Sequence, residues 1–406
     1  MRHHFTFLFH FVGATLMALT CCITLHIIAD PYDIFGAPKI EGFNKVKAVI
    51  GSKQRVFEAV ELLRREPEVV IFGTSRSDIG IDPKHHAFVG MSSFNAAASG
   101  QQIGETRELL EQLIARAETP PKYVVVGLDF MAFNALAPDP FDYAPENASA
   151  WRRLQLLFSI STLLDSVRTL QRQNYEYQLG LGGLINHDGF REYVGNPAMR
   201  RHAQFEGSEE GFLRNTYNAP PHCRWSTTDE TRKRDYLDAY RQILRSAYGA
   251  GIDLKLFISP SHARQWETLA VSGLWPQFEE WKRDLVHIMH EEAVNARKAE
   301  FMLVDFSGYN SITTEKVSDA PDMNYYWESS HYRKTTGDKV LNRLFQRAPI
   351  TPHFGQPINV RTIDDWLANT RRAQAQYRAS HPSDIAEIKA IAARVAQTSP
   401  CAARNL

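Results

Sequence analysis

The stretch "VVIFGTSRSDIGIDP", Val69 to Pro83, decides how the chain is read. Four apolar residues, Val69-Val70-Ile71-Phe72, give way at once to Gly73-Thr74-Ser75-Arg76. A short apolar run with no polar alternation reads as a strand buried on both faces, the kind found in parallel sheets. Small residues directly after it suit a tight turn into a helix. They also suit a nucleophilic hydroxyl held at the rim of a sheet, so Ser75 is either a turn residue or the centre of a site.

Working outward, strand and helix alternate. Lys53 to Arg65 carries Val56, Ala59, Val60 and Leu63 on one helical face. Met91 to Ala96 reads as a second strand, Glu105 to Ala117 as an amphipathic helix, and Tyr123 to Leu128 as a strong strand. Thr231 to Tyr248 reads as a helix closed by Gly249 and Gly251, Leu254 to Ile258 as a strand, Phe278 to Arg297 as a helix, and Phe301 to Val304 as a strand. Such alternation predicts an α/β protein with a parallel sheet and helices on both faces. An interruption from about Ala135 to Thr228 is expected to be a helical insertion, with Leu154 to Gln173 as one helix. Two further helices are expected after Pro349. Thr362 and Ser383 are their expected caps, and Ile363, Trp366 and Leu367 the expected docking face of the first. The chain is expected to fray from about Gln397. The domains are therefore expected at 1–30, 45–350 with the insertion at 135–228, and 351–406.

Composition narrows the function classes. The chain has 406 residues, and Lys+Arg and Asp+Glu both number 46, so the formal net charge is zero. Nucleic-acid binding by bulk charge needs an excess of Lys and Arg, and no nucleic-acid partner is expected. Cysteine numbers four: Cys21 and Cys22 in an apolar segment, and Cys223 and Cys401, whose pairing the sequence leaves open. No metal-ligand spacing is present. Phe5 to Ile28, "FTFLFHFVGATLMALTCCITLHII", holds no Asp, Glu, Lys or Arg. About 20 apolar residues cross a bilayer as a helix. The run is long for a signal peptide and lacks a small-residue cleavage site, so an uncleaved anchor is expected, with a cleaved signal as the alternative. Arg2 ahead of it favours a cytoplasmic N-terminus and a periplasmic or extracytoplasmic body.

In an open parallel sheet, ligands bind beyond the carboxyl ends of the strands. The expected strands lead there to Ser75 and Arg76, to Asn95 with Gly100 behind it, to Asp129, to His262, and to Glu328 and His331 in "NYYWESSHYRKTTGDKVL". Ser75 becomes a nucleophile only if a base removes its proton. His331 is the candidate base, and Glu328 the acid that orients and stabilises its imidazolium. Arg76 either binds an anionic donor or pairs with Asp78 or Asp129. His262 is a substrate contact or a satisfied loop histidine. Tyr325, Tyr326 and Trp327 either stack on a sugar or pack in the core.

"FGTSRS" and "WESSHYRKTTG" resemble the Gly-x-Ser and Asp-x-x-His motifs of the SGNH hydrolase-like (GDSL-type) superfamily, with Glu328 where that family usually has Asp. The likeness covers roughly residues 65–346 without the insertion. It is nearest the membrane-anchored branch resembling the D-alanyl-lipoteichoic-acid transfer protein and alginate O-acetyltransferase components. It implies a three-layer α/β/α sandwich of the SGNH or flavodoxin-like kind. It implies a serine esterase or acyltransferase acting on acyl groups of an envelope polysaccharide or glycolipid. It also implies no metal or cofactor, and a multi-span membrane partner that passes an acyl donor. The rival is a catalytically silent envelope module that binds glycan or scaffolds an export complex. The family's oxyanion hole draws on a Gly and an Asn. Gly100 fits the first, but "GLD" puts Asp129 at the second, leaving Asn134 as a substitute donor or Asp129 in another role. Because an ionised Asp cannot donate a hydrogen bond, Asp129 is expected to face Arg76 or backbone N–H groups of the Ser75 turn instead.

Overall fold

The computed structural model describes residues 2–139, 149–173, 184–186, 188–193, 199–217, 220–319 and 323–401. The chain divides into two compact units, residues 1–65 with 141–186, and residues 66–140 with 187–406. The strands of the main sheet are β1 (Val69–Phe72), β2 (Ser93–Asn95), β3 (Tyr123–Leu128), β4 (Asp253–Ile258), β5 (Met302–Asp305) and β6 (Gln356–Pro357). The α-helices are α1 (Arg2–Ala29), α2 (Gln54–Arg65), α3 (Ser75–Gly80), α4 (Ile103–Arg116), α5 (Ala150–Leu157), α6 (Ile160–Gln171), α7 (Arg201–Asn215), α8 (Tyr236–Ala250), α9 (Ala263–Val271), α10 (Trp275–Ala296), α11 (Lys334–Leu344), α12 (Ile363–Ser380) and α13 (Pro382–Thr398).

The second unit is the α/β body. Its sheet runs β6-β5-β4-β3-β1-β2, parallel throughout except for the antiparallel edge strand β6. Val69 to Phe72 are wholly buried, as a strand covered on both faces must be. The strand order reverses at β1, whose neighbours are β2 and β3. Phe72 pairs with Val126 and Leu128 with Ile258, so Gly73, Asp129 and Ser259 leave the sheet along one edge. That edge, at the point of reversal, is where such sheets hold ligands. Helices α4, α8 and α10 pack side by side, and α3 packs against α11.

Several element limits differ from the sequence reading, for local reasons. Helix α8 begins at Tyr236 rather than Thr231, because the Asp235 carboxylate caps it by accepting from the Asp238 N–H, and residues 228–235 form a small hairpin. The single helix expected over Leu154 to Gln173 is two, α5 and α6, interrupted at Phe158 and Ser159. Ser383 does not cap the last helix: the turn starts one residue earlier at Pro382, a residue suited to the first helical position because it lacks an N–H to satisfy. Thr362 stands at the cap position of α12, but its hydroxyl accepts from the Asn359 N–H instead. The tail docks on the body. Ile363 and Leu367 are buried, and the Trp366 indole donates to Asp305 Oδ2 at 2.7 Å. A disulfide joins Cys223 to Cys401, resolving the pairing that the sequence left open.

In the first unit, α1 is long and apolar enough to cross a membrane. Its last carbonyls are satisfied by side chains: Asn44 Nδ2 donates to Ile28 O at 2.7 Å and Lys47 Nζ to Ala29 O at 3.1 Å. The buried Asp30 carboxylate accepts from the N–H groups of Ile34, Phe35, Gly36 and Ala37, which folds the chain back after the helix.

Candidate active site

Thr74 caps α3, accepting from the Arg76 N–H at 3.3 Å, so Ser75 is the first helical residue. Gly73 has φ +148°, and a Cβ there would lie 2.4 Å from Ser77 Oγ, so only glycine lets the chain turn this sharply off β1. Ser77, which stands where a hydrolase elbow would carry its second glycine, fills the space over Gly73 and Gly127. The turn leaves Ser75 half-buried at the edge of the sheet.

The second half of the site comes from the loop 325–333, which folds on itself. The Trp327 N–H donates to His331 O at 3.0 Å, and the Arg333 N–H to Tyr325 O at 2.8 Å. Inside this loop Glu328 accepts from the N–H groups of Ser330 and His331, both at 2.8 Å, and bonds to His331 Nδ1. His331 Nε2 then lies 2.7 Å from Ser75 Oγ. Burial works against ionisation of Glu328, but the His331 charge and the hydrogen bonds to it outweigh burial and hold the carboxyl at about 2. Two glycines bring the halves together. A Cβ on Gly337 would fall 1.7 Å from Gly80 O, and one on Gly80 would fall 2.0 Å from the Tyr332 ring. Close approach of α3 and α11 therefore sets the distance between serine and histidine.

Asp129 faces away from any oxyanion role. Its Oδ1 accepts from Arg76 Nη1 at 2.7 Å and its Oδ2 from the Thr74 hydroxyl at 2.5 Å. Arg76 is buried; burial is the largest single effect and lowers its pKa, but the Asp129 charge and hydrogen bond, with Tyr217 and Glu328, together outweigh it and the net shift is upward. Its Nε donates to Ser330 Oγ at 3.1 Å and Ser330 O at 3.3 Å, so the pair ties the serine turn to the histidine loop. Arg76 is thus a brace between the two halves rather than a substrate contact.

Three other sequence candidates are committed elsewhere. Asn95 donates through Nδ2 to Ser77 O at 3.0 Å and Ile81 O at 2.8 Å, and accepts from the Ala97 N–H, which uses its whole amide on backbone. It holds α3 against β2 and is not an oxyanion donor. Asn134 accepts from the N–H groups of Leu136 and Ser226, fixing its own loop, and no hydrogen bond joins it to Ser75 or His331 among the described residues. His262 caps α9, accepting from the Arg264 N–H at 3.2 Å, while Nε2 donates to Glu315 O at 2.7 Å. Burial depresses its pKa to about 4, so it is a neutral structural residue and not a substrate contact.

Gly100 sits at the third position of a turn closed by the Gln101 N–H to Ala98 O at 3.0 Å, and its φ of +67° is the left-handed value that position requires. The Gln101 side chain accepts from the N–H groups of Gly73 and Ala98, binding this turn to the segment before Ser75. Among the described residues, neither the Ser75 nor the Gly100 N–H has an acceptor, so neither donor is used by the turns that hold it. Gln101, Thr74 and Ser330 were missed in the sequence. The only signal for them is adjacency to Gly100, Ser75 and His331. Tyr326 is buried, its hydroxyl donating to Pro260 O at 2.7 Å. Trp327 is half-exposed, with Arg333 over its ring at 3.9 Å and Tyr193 at its edge. The Tyr193 ring is 6.4 Å from that of His331.

Compared with family models, with curated proteins and with solved structures, the chain matches none of them.

Proposed function

We propose that this protein is a serine-dependent acyl hydrolase or O-acyltransferase of the SGNH kind, acting on ester-linked acyl groups of a cell-envelope polysaccharide or glycolipid. The observation that carries the reading is the continuous chain Ser75 Oγ, His331 imidazole, Glu328 carboxylate at the reversal point of the sheet. In this reading Ser75 Oγ attacks the acyl carbonyl as its proton passes to His331 Nε2. Glu328 stabilises the imidazolium, and the Ser75 and Gly100 N–H groups receive the oxyanion. Collapse breaks the ester bond, and His331 returns the proton to the departing hydroxyl. An acceptor hydroxyl or water then takes the acyl group from Ser75 by the reverse sequence. The strand order, with α4, α8 and α10 as one group of helices and α3 with α11 as another, supports a three-layer α/β/α arrangement.

Helix α1 as a single anchor and the Cys223–Cys401 disulfide support an extracytoplasmic body, since thiols stay reduced in most cytosols. A multi-span membrane protein would deliver the acyl donor. The test is labelling of the full-length protein with a serine-directed fluorophosphonate. Labelling that is lost in Ser75→Ala supports the reading. Equal labelling of both proteins, or none in either, removes it and favours the silent scaffold. The Asp129–Arg76 pair at the family's Asn position is the feature that favours that alternative.

A further inference from the structure

Helices α5 and α6, in the first unit, are built inside out. The buried face of α6 is polar: Thr162, Asp165, Ser166 and Thr169. Its large apolar residues are exposed: Ile160, Leu164 and Val167, spaced four and three residues apart, form one stripe beside the exposed Ser161 and Arg168, with Ile160 77% exposed. Helix α5 exposes Trp151 at 62% and Leu154, and the connection exposes Phe158 at 58%. An amphipathic helix in water turns these faces the other way. Single exposed apolar residues need no cause, but six large ones within the 17 residues from Trp151 to Val167 do. Hydrocarbon reverses the preference. There, small hydroxyl residues mediate helix-to-helix packing and large apolar residues face out.

The neighbour of this patch points to the same medium. Helix α6 packs along the end of α1, where Cys22, Ile23, Leu25, His26 and Ala29 lose exposure while residues 4–21 stay exposed. His26 Nδ1 lies 2.9 Å from Leu157 O, so the α5–α6 turn sits beside the last turn of α1. The far end of α6 follows the chain away from α1: the Tyr32 hydroxyl donates to Asp165 Oδ2 at 2.8 Å, and Gln173 bonds to both the N–H and the O of Val46. A span of about 20 residues beginning at Phe5 ends near Thr24. The apolar tip is therefore level with the edge of the hydrocarbon layer, and Arg168 and Arg172 lie toward the watery end. Both α5 and α6 pack against α1, whose residues 4–21 are exposed and apolar, so the medium that covers α1 is the nearest one to the exposed apolar residues of α5 and α6.

We propose that the consecutive helices α5 and α6 are a second membrane contact, seated with Trp151, Leu154, Phe158, Ile160 and Leu164 in the lipid of the leaflet where α1 emerges. The proposal rests on reading α1 as a membrane span, and it gives the insertion a function that α1 alone does not supply: holding the first unit at a fixed tilt and depth against the bilayer. The test uses the full-length chain with Cys21 and Cys22 replaced by serine, reconstituted in phosphatidylcholine–phosphatidylglycerol vesicles. A single nitroxide is placed through Leu16→Cys, Ile160→Cys, Leu164→Cys or Gln171→Cys, all at exposed positions. Collision with lipid-soluble oxygen is compared with collision with a water-soluble nickel chelate. The expected result is an oxygen-to-nickel ratio at 16, 160 and 164 several-fold above that at 171. Oxygen dominance at 16 with nickel dominance at 160 and 164 overturns the second contact and leaves the span. Nickel dominance at all four positions removes the span as well. Nickel dominance in vesicles with shielding from both reagents in native membranes also overturns it, in favour of a protein partner on this face.

Discussion

Two histidines stand beyond the same sheet edge, and they differ in what their nitrogens meet. His262 accepts a backbone N–H at Nδ1 and donates to a backbone carbonyl at Nε2, with 1% of the residue exposed. His331 meets a carboxylate at Nδ1 and a serine hydroxyl at Nε2, with 24% of its side chain exposed. Backbone partners can neither yield a proton nor gain charge, so His262 is locked neutral and serves as a helix cap. A hydroxyl can give up its proton and a carboxylate can stabilise the result, so His331 can cycle. Burial and partner chemistry, not residue type, separate the candidate base from the helix cap.

The sharpest way to break this comparison is to remove each histidine in turn. His331→Ala and Ser75→Ala should each lower acyl turnover on the order of 10⁴- to 10⁶-fold with the fold retained, because the members act as a unit. Glu328→Gln should cost about 10⁴-fold, through loss of the charge that holds the imidazolium. His262→Asn keeps a cap and should leave turnover near the parent level. Steady-state kinetics on an ester substrate would decide it, and comparable losses at 262 and 331 would end the distinction.

Next in size is the pair that joins the serine turn to the His331 loop. Asp129→Ala leaves Arg76 buried and unpaired, which should cost about 3–5 kcal/mol in chemical denaturation. Asp129→Asn should cost less and retain part of the activity. A marked rate gain in Asp129→Asn would mean instead that the position faces the oxyanion.

The locked histidine also predicts an acid limb. His262 takes a proton near pH 6.5 when unfolded and only at about 4 when folded. Between those values the unfolded chain binds more protons, so stability falls as pH drops from 6.5 to 4 and is flat in this respect above 6.5. The loss approaches about 3 kcal/mol at the acid end. Denaturation curves across that range should show the slope in the parent and a shallower one in His262→Asn. The smallest effect expected is at Gln101. Its replacement by Ala should cost about 1 kcal/mol of stability for the lost hydrogen bonds, yet reduce turnover more than that figure implies, because the Gly100 turn is then no longer tied to Gly73. Equal losses in stability and in activation free energy would make Gln101 a purely structural residue.

The sequence by itself determined the parts whose causes are local. Unbroken apolar runs made β1 and β3 legible, because burial on both faces leaves no polar alternation to read, and the 24 residues of Phe5–Ile28 without Asp, Glu, Lys or Arg made α1 legible by length alone. Ser75, Glu328 and His331 were legible because each stands within a short motif. Only the tertiary structure decided that His331 lies 2.7 Å from a serine 256 positions away, and that Gly80 and Gly337 are the contact that permits it. It also decided that Asn95 and His262 bond to backbone rather than to a ligand, and that Asp129 answers Arg76. The physical reason is the same in each case: a polar side chain in a motif carries no record of which partner will satisfy it, and that partner arrives from a distant part of the chain. Helix α6 shows the converse, since its pattern reads as an ordinary amphipathic helix and only packing against α1 fixes which face turns outward.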